Sequence, residues 1–263
     1  MNRIDELFNR KPAGILNIFI TAGYPTLHAL EDILPALERS GADLVEIGMP
    51  YSDPLADGTT IQQSSQIALQ NGMTLELLFA QLRVIRPKIK LPLVIMGYYN
   101  QVMQFGEDRF LDQCVKAGID GLILPDLPME EYEEQLAHKC QERGIGVSFL
   151  ITPQTSESRI RKADALSRGF LYMVADASIT GASNGISNRQ IEYFERIQDL
   201  ALETPRLIGF GISDAAAFQT ASQYSRGAII GSAFIRALAD KSDVASASGE
   251  FVQQILQTEN SLS

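Results

Sequence analysis

The sequence predicts an α/β fold, a (β/α)8 barrel built as one domain over residues 1–263. Three observations predict it. Short apolar runs alternate with longer amphipathic ones along the whole chain. The runs are nearly all apolar, as strands covered on both faces are. There are eight such runs, at Ile15, Asp43, Leu93, Gly121, Gly146, Phe170, Arg206 and Gly227, and eight units of roughly 33 residues suit a barrel of about 250. The competing fold is an open, doubly wound sheet, which commonly carries G-x-G-x-x-G after its first strand. Here the first strand runs into TAGYP instead.

The elements follow in order. A charged helix from Arg3 to Asn9 precedes the first strand, ILNIFI, and is placed to plug the bottom of the barrel. TLHALEDILPALERSG follows, with Leu27, Leu30, Leu34 and Leu37 on one helical face and Pro35 expected to bend it. In the second strand, DLVEIG, period-2 alternation sets Leu44, Glu46 and Gly48 on one face and Val45 and Ile47 on the other. MEEYEEQLAHKCQERG has an acidic start, a basic end and a closing Gly144, the polarity of a helix. IIGSAFIRAL predicts a short extra helix after the eighth strand, with Ser232 as its cap. The polar SDVASASGE leads to a last helix ending near Gln257.

Composition narrows the function. With 22 Lys+Arg against 32 Asp+Glu the net charge is −10, which opposes nucleic-acid and anionic-membrane binding. Cys114, Cys140, His28 and His138 form no ligand spacing, so no metal site is expected, and two isolated cysteines suit a reducing cytoplasm. The first residues, MNRIDELFNRKP, lack the apolar run of a signal peptide, and no stretch has the length of a membrane span.

Barrel chemistry sits at the C-terminal ends of strands. Glu46 lies near the end of the second strand, where burial raises a carboxyl pKa toward that of a general acid/base. The following loop holds Asp53, Asp57, Pro50 and Pro54, and a second carboxylate near Glu46 would divide acid and base roles by environment. Gly211 after the seventh strand and Gly231-Ser232 after the eighth fit the phosphate site that barrels build there from backbone N–H groups. No Lys or Arg occurs in GFGIS, IIGS or SITG, so salt is expected to weaken phosphate binding only modestly. Tyr172 shares a face with Phe170 and Val174, and Ala175 to Gly185 has the composition of a lid. Tyr98 and Phe19 end strands and can wall an aromatic pocket. Asp126 is expected to cap the helix after it, and the two histidines to be ordinary helix residues.

VEIGMPYSDPLADG, LPDLP and GFGIS, in that order, resemble the tryptophan synthase α-subunit family from RIDELF to the last helix. The resemblance implies a TIM barrel that cleaves indole-3-glycerol phosphate to indole and glyceraldehyde 3-phosphate without a cofactor. It implies Glu46 as acid/base, Asp57 as acceptor of the indole N–H, and Tyr172 beside them. It further implies Gly181, Phe210, Gly211, Gly231 and Ser232 around the phosphate, and Phe19, Met96, Tyr98 and Ile123 around the indole. The implied partner is a pyridoxal-phosphate β subunit in an αββα complex, met by Pro50 and Asp53. Thr59 and Gln101 stand where that family commonly has proline, and Ala175, Asp176 and Ser178 replace its usual lid residues. Two rival readings are another sugar-phosphate barrel, for which no strand-end lysine or metal set is present, and a module that mainly activates its partner.

Overall fold

The computed structural model describes residues 2–54, 57–175, 186–209 and 211–257. Nine strands, all parallel, form one sheet: β1 (Ile15–Thr21), β2 (Leu44–Gly48), β3 (Leu93–Met96), β4 (Gly121–Ile123), β5 (Gly146–Val147), β6 (Leu150–Ile151), β7 (Leu171–Val174), β8 (Arg206–Gly209) and β9 (Gly227–Ile230). Their order is β5-β4-β3-β2-β1-β9-β8-β7-β6. The two ends of that order, β5 and β6, are halves of the single fifth run expected from the sequence. The Ser148 N–H donates to the Leu122 carbonyl on one side, and the Phe149 carbonyl accepts the Tyr172 N–H on the other, both at 3.0 Å. The chain therefore closes the barrel at residues 148 and 149, and the count of nine comes from a break within the fifth of eight runs rather than from an added unit.

Strand alternation divides the core in two. Ile15, Leu44, Val94, Ile123, Phe170, Tyr172, Leu207 and Ile229 fill the lumen. Leu16, Ile18, Ile20, Val45, Ile47 and Ile95 point outward and pack on helices through Leu34, Leu37, Phe79 and Phe110. The helix Arg3–Arg10 joins the inner cluster with Ile4, Leu7 and Phe8, so it plugs the lumen. Its cap explains the fit. Asn2 Oδ1 accepts the N–H groups of Ile4 and Asp5, while Asn2 Nδ2 donates to the Asp120 carbonyl at 3.0 Å. Arg3 pairs with the buried Asp120 carboxylate at 2.9 Å, and its other oxygen accepts the Leu93 N–H.

Helix boundaries differ from expectation in instructive places. The segment from Thr26 is helical only over Leu30–Ser40, and Gly41, at φ +103°, ends it. The first residues form turns instead, with Ala29 N–H bonded to the Thr26 carbonyl. MEEYEEQLAHKCQERG widens to a π turn at Tyr132–Leu136 between α-helical pieces Met129–Glu131 and Ala137–Glu142. Most of SDVASASGE is itself helical, because Asp243 caps Val244–Leu256 by accepting the Ser246 N–H at 2.9 Å. Asp126 does not cap the helix that follows it. Its Oδ1 accepts the Tyr99 N–H at 2.8 Å and so caps Tyr99–Phe105, a helix of the preceding unit. Among the described residues, no helix is long and apolar enough to cross a membrane.

Candidate active site

The strand ends of β1, β2, β3 and β7 to β9 open on a cavity of about 580 Å³. Phe19, Asp57, Met96, Tyr172, Gly211, Gly231 and Ser232 all line it, so residues from six separate runs of sequence meet as expected. A narrower recess beside it adds Tyr98, Met49 and Gly97 to Phe19, Met96 and Asp57. Ile123 is fully buried in the inner cluster and does not line either space. Gly181, Phe210 and the lid residues Asp176 and Ser178 lie outside the described residues.

Glu46 points into the lumen, as alternation on β2 required, and is fully buried beneath the cavity rather than on its wall. Its sheet neighbours are Phe19 on β1 and Val94 on β3. Burial among such groups disfavours the charged form and pushes its pKa up to about 8; a hydrogen bond from Asn17 opposes the shift. Asp57 is half-buried, and burial also raises its pKa, against the opposing hydrogen bond donated by Tyr98 Oη at 3.2 Å. Its backbone is fixed from the helix Thr59–Gln70, where Gln62 Nε2 donates to the Asp57 carbonyl at 2.8 Å. Ser64 of that helix shares a 2.6 Å hydroxyl contact with Thr21 at the end of β1. Thr59 is the first helical residue and Gly58 the cap, so the helix starts at this position without proline.

Tyr172 is buried within reach of both carboxyls, and its hydroxyl pKa is raised well above the ordinary value by burial and by the negative fields of Glu46 and Asp57. Two glycines make room for the lumen aromatics. A Cβ on Gly209 would fall on the Tyr172 hydroxyl, and one on Gly48 would meet the Phe19 ring tip at 2.5 Å. At the far end of the cavity, Gly211 adopts φ +78° and Gly231 is the residue that starts the helix Ser232–Leu238. Ser232 is thus the first helical residue, not the cap, because Gly231 takes the flanking position.

Two site residues escaped the sequence reading. Arg236 lines the cavity one helical turn beyond Ser232, with Nη1 3.4 Å from Thr60 Oγ1. It puts a cation on the cavity wall beside the expected phosphate site, which was read as backbone N–H groups alone. The window GFGIS, IIGS and SITG stopped short of it, and an i, i+4 reading from Ser232 would have reached it. The second is Asn17, a lone amide in an apolar strand; a buried polar group there must find a partner, and that is the signal. Among the described residues, no group of three or more His, Cys, Asp or Glu is arranged to hold a metal.

The loops after β2 and β3 are tied together. Pro50 is buried, and its carbonyl accepts from Gln101 Nε2 at 3.1 Å. Gln101 Oε1 accepts the Tyr98 N–H at 3.1 Å. Asp53 is exposed, with Ser52 Oγ donating to it at 2.7 Å.

Comparison with known proteins places the whole chain in one family. The family described as tryptophan synthase alpha chain matches residues 7–261. The tryptophan synthase alpha chain of Flavobacterium psychrophilum is 49% identical over 255 residues, covering 97% of this chain and 100% of that one. That of Bacteroides thetaiotaomicron is 46% identical over 92% of this chain and 95% of its own. Among solved structures, tryptophan synthase subunit alpha from Legionella pneumophila superposes with a TM-score of 0.88 at 30% identity, covering 98% of each chain. Near-complete coverage in sequence and in fold, around a cavity with two perturbed carboxyls, leads to one conclusion: the chain belongs to the tryptophan synthase alpha chain family, lyases that cleave indole-3-glycerol phosphate in the synthesis of tryptophan.

Proposed function

We propose that Glu46 and Asp57 carry the cleavage, with Tyr172 beside them. Glu46 takes the proton of the glycerol hydroxyl next to the indole ring and delivers a proton to indole C3. The carbon–carbon bond then breaks to an aldehyde and free indole, with no net gain or loss of protons. Asp57 accepts from the indole N–H, which favours the ring tautomer in which C3 can leave. The carrying observation is the pair of environments: one carboxyl wholly buried with its pKa near neutrality, the other half-buried and held by Tyr98.

Phe19, Met96 and Tyr98, with Ile123 behind them, form the indole end. Gly181, Phe210, Gly211, Gly231 and Ser232 form the phosphate end through backbone N–H groups. The reaction as read asks for no cofactor in this chain. Pyridoxal phosphate belongs to a β subunit, which receives the indole in an αββα complex seated against Pro50 and Asp53. Cys114 and Cys140, both buried and free, accord with a cytoplasmic protein, and the whole chain, 1–263, acts as one domain.

The test is indole release from indole-3-glycerol phosphate by Glu46→Gln. A loss of about 100-fold or more in kcat is expected for an acid/base group. The chain has no tryptophan, so indole fluorescence is read over only the weak background of its eight tyrosines. Near-wild-type release by the variant overturns the assignment.

A further inference from the structure

Asn17 is the only polar residue of β1 before Thr21, and it is fully buried in the lumen. β1 and β2 run in register with Asn17 beside Leu44 and Phe19 beside Glu46, so the Asn17 and Glu46 side chains share the inner face. Asn17 Nδ2 donates to Glu46 Oε1 at 2.5 Å. Glu46 Oε2 is also buried and has no partner among the described residues. The same is true of Asn17 Oδ1, so Glu46 is the side chain that orients the amide.

The two oxygens of Glu46 are therefore unequal. One is engaged by an amide that neither gains nor loses a proton near neutral pH. Among the described residues the other has no donor to satisfy it as a carboxylate and no acceptor for its proton as an acid, until something enters from the cavity above. The titratable group that feels the Glu46 charge is Tyr172 on β7, which also feels Asp57 from the loop after β2; among the described residues no lysine or arginine acts on Glu46.

We propose that Asn17 is a positioning residue that pins Glu46 Oε1 and so makes Oε2 the single oxygen that exchanges protons with the substrate. In the acid form the proton resides on Oε2, while Oε1 continues to accept from the amide. In the carboxylate form Oε2 takes the hydroxyl proton, and Asn17 stabilises the charge left on the group. Asn17 itself transfers nothing. The inference rests on Glu46 being the proton carrier, and it adds which atom carries the proton and what holds the carboxyl in place.

Asn17→Leu, nearly the same size but without a donor, tests it. Losing a hydrogen bond to a charged group is expected to lower kcat about tenfold or more. KM for indole-3-glycerol phosphate should stay within about threefold, since no ground-state contact is lost. The pH profile of kcat should show the Glu46 midpoint displaced upward, because the lost donor favoured the carboxylate. A folded Asn17→Leu with wild-type kcat overturns the proposal, and so does a fall in kcat with an unmoved midpoint, the mark of packing alone. The wild-type protein gives a second readout that needs no substitution. The side-chain amide resonances of Asn17 should titrate with the Glu46 carboxyl, near pH 8; a flat Asn17 amide between pH 6 and 10 overturns the proposal. Glu46→Gln is the control. If it keeps activity, the reading of Glu46 fails; if it is inactive and Asn17→Leu is wild type, only the role of Asn17 fails.

Discussion

Tyr98 Oη donates to Asp57 Oδ2 at 3.2 Å, a side-chain bond from the loop after β3 to the loop after β2 at the mouth of the cavity. Its backbone end is secured as well. Gln101 accepts the Tyr98 N–H and donates to the Pro50 carbonyl, and the Tyr51 and Tyr98 rings lie 5.1 Å apart. Asn100 Nδ2 completes the link by donating to the Tyr51 hydroxyl at 3.0 Å. Pro50 is thereby linked to the Asp57 carboxyl through Gln101 and Tyr98, and Tyr51 through Tyr98 alone. That is a physical route by which a partner seated on this loop would bear on the reaction.

Tyr98→Phe isolates this contact. The hydroxyl favours the Asp57 carboxylate, so its removal raises the Asp57 pKa further above the ordinary value. The ionised fraction then falls first on the acid side, and the acid limb of kcat/KM moves to higher pH. Near the plateau the loss should be roughly tenfold at most, the worth of one hydrogen bond to a charged group. An acid limb that stays in place shows that Tyr98 does not govern Asp57.

Features set by local period were legible in the sequence. Leu44, Glu46 and Gly48 face the lumen because successive strand residues alternate, and the plug helix announces itself by Ile4, Leu7 and Phe8 on one face. What stayed hidden depends on a neighbour from another unit. Asp126 caps the helix at Tyr99, which no spacing within LPDLPMEE reveals. The break at Ser148 and Phe149 arises where one strand must bond to β4 below it and β7 above it. Asn17 meets Glu46 only through the β1–β2 register, and Arg236 reaches the cavity only because its helix packs against the one that begins at Thr59.

The buried Glu46 carboxyl makes stability depend on pH. Its folded pKa, about 8, exceeds the ordinary value of 4.5, so the native state holds a proton that the unfolded chain has already released between those values. Its contribution is fully present below pH 4.5 and is lost as pH rises to about 8, at roughly 1.4 kcal/mol per pH unit at most. Glu46→Gln keeps the shape without the charge. The variant should be more stable than wild type at pH 8, by up to a few kcal/mol, and the gap should close toward pH 5. Urea unfolding of both proteins across this range measures it; a gap that does not change with pH refutes the burial argument.

Gly209→Ala should disable the site from behind. A Cβ there would clash with the Tyr172 hydroxyl and lie 2.6 Å from the ring carbon that bears it, so the ring must shift toward the cavity it lines. Overpacking of this kind costs about 1–3 kcal/mol, and the ring must shift relative to Glu46 and Asp57, whose fields it feels. Combining Gly209→Ala with Tyr172→Ala removes the obstruction. The double variant should then be destabilised by less than the sum of the single ones. Additive losses of stability in thermal or urea unfolding would mean that the two positions do not meet.

Arg236→Gln addresses how an acidic protein admits an anionic substrate. The net charge is −10, yet the cavity wall carries this arginine one turn beyond Ser232. It is exposed, and among the described residues its hydrogen bond is the long one to Thr60, so its charge is open to solvent and to an arriving phosphate. Such a charge acts on encounter and on loose binding, within a screening length of about 10 Å at 0.1 M salt, rather than on the bond-breaking step. The substitution should therefore raise KM for indole-3-glycerol phosphate by roughly threefold at low ionic strength and leave kcat nearly unchanged. Added salt should weaken substrate binding in the wild type and do so less in Arg236→Gln, until the two KM values converge near 1 M. A wild-type KM insensitive to salt would return the phosphate wholly to the backbone N–H groups at Gly211, Gly231 and Ser232.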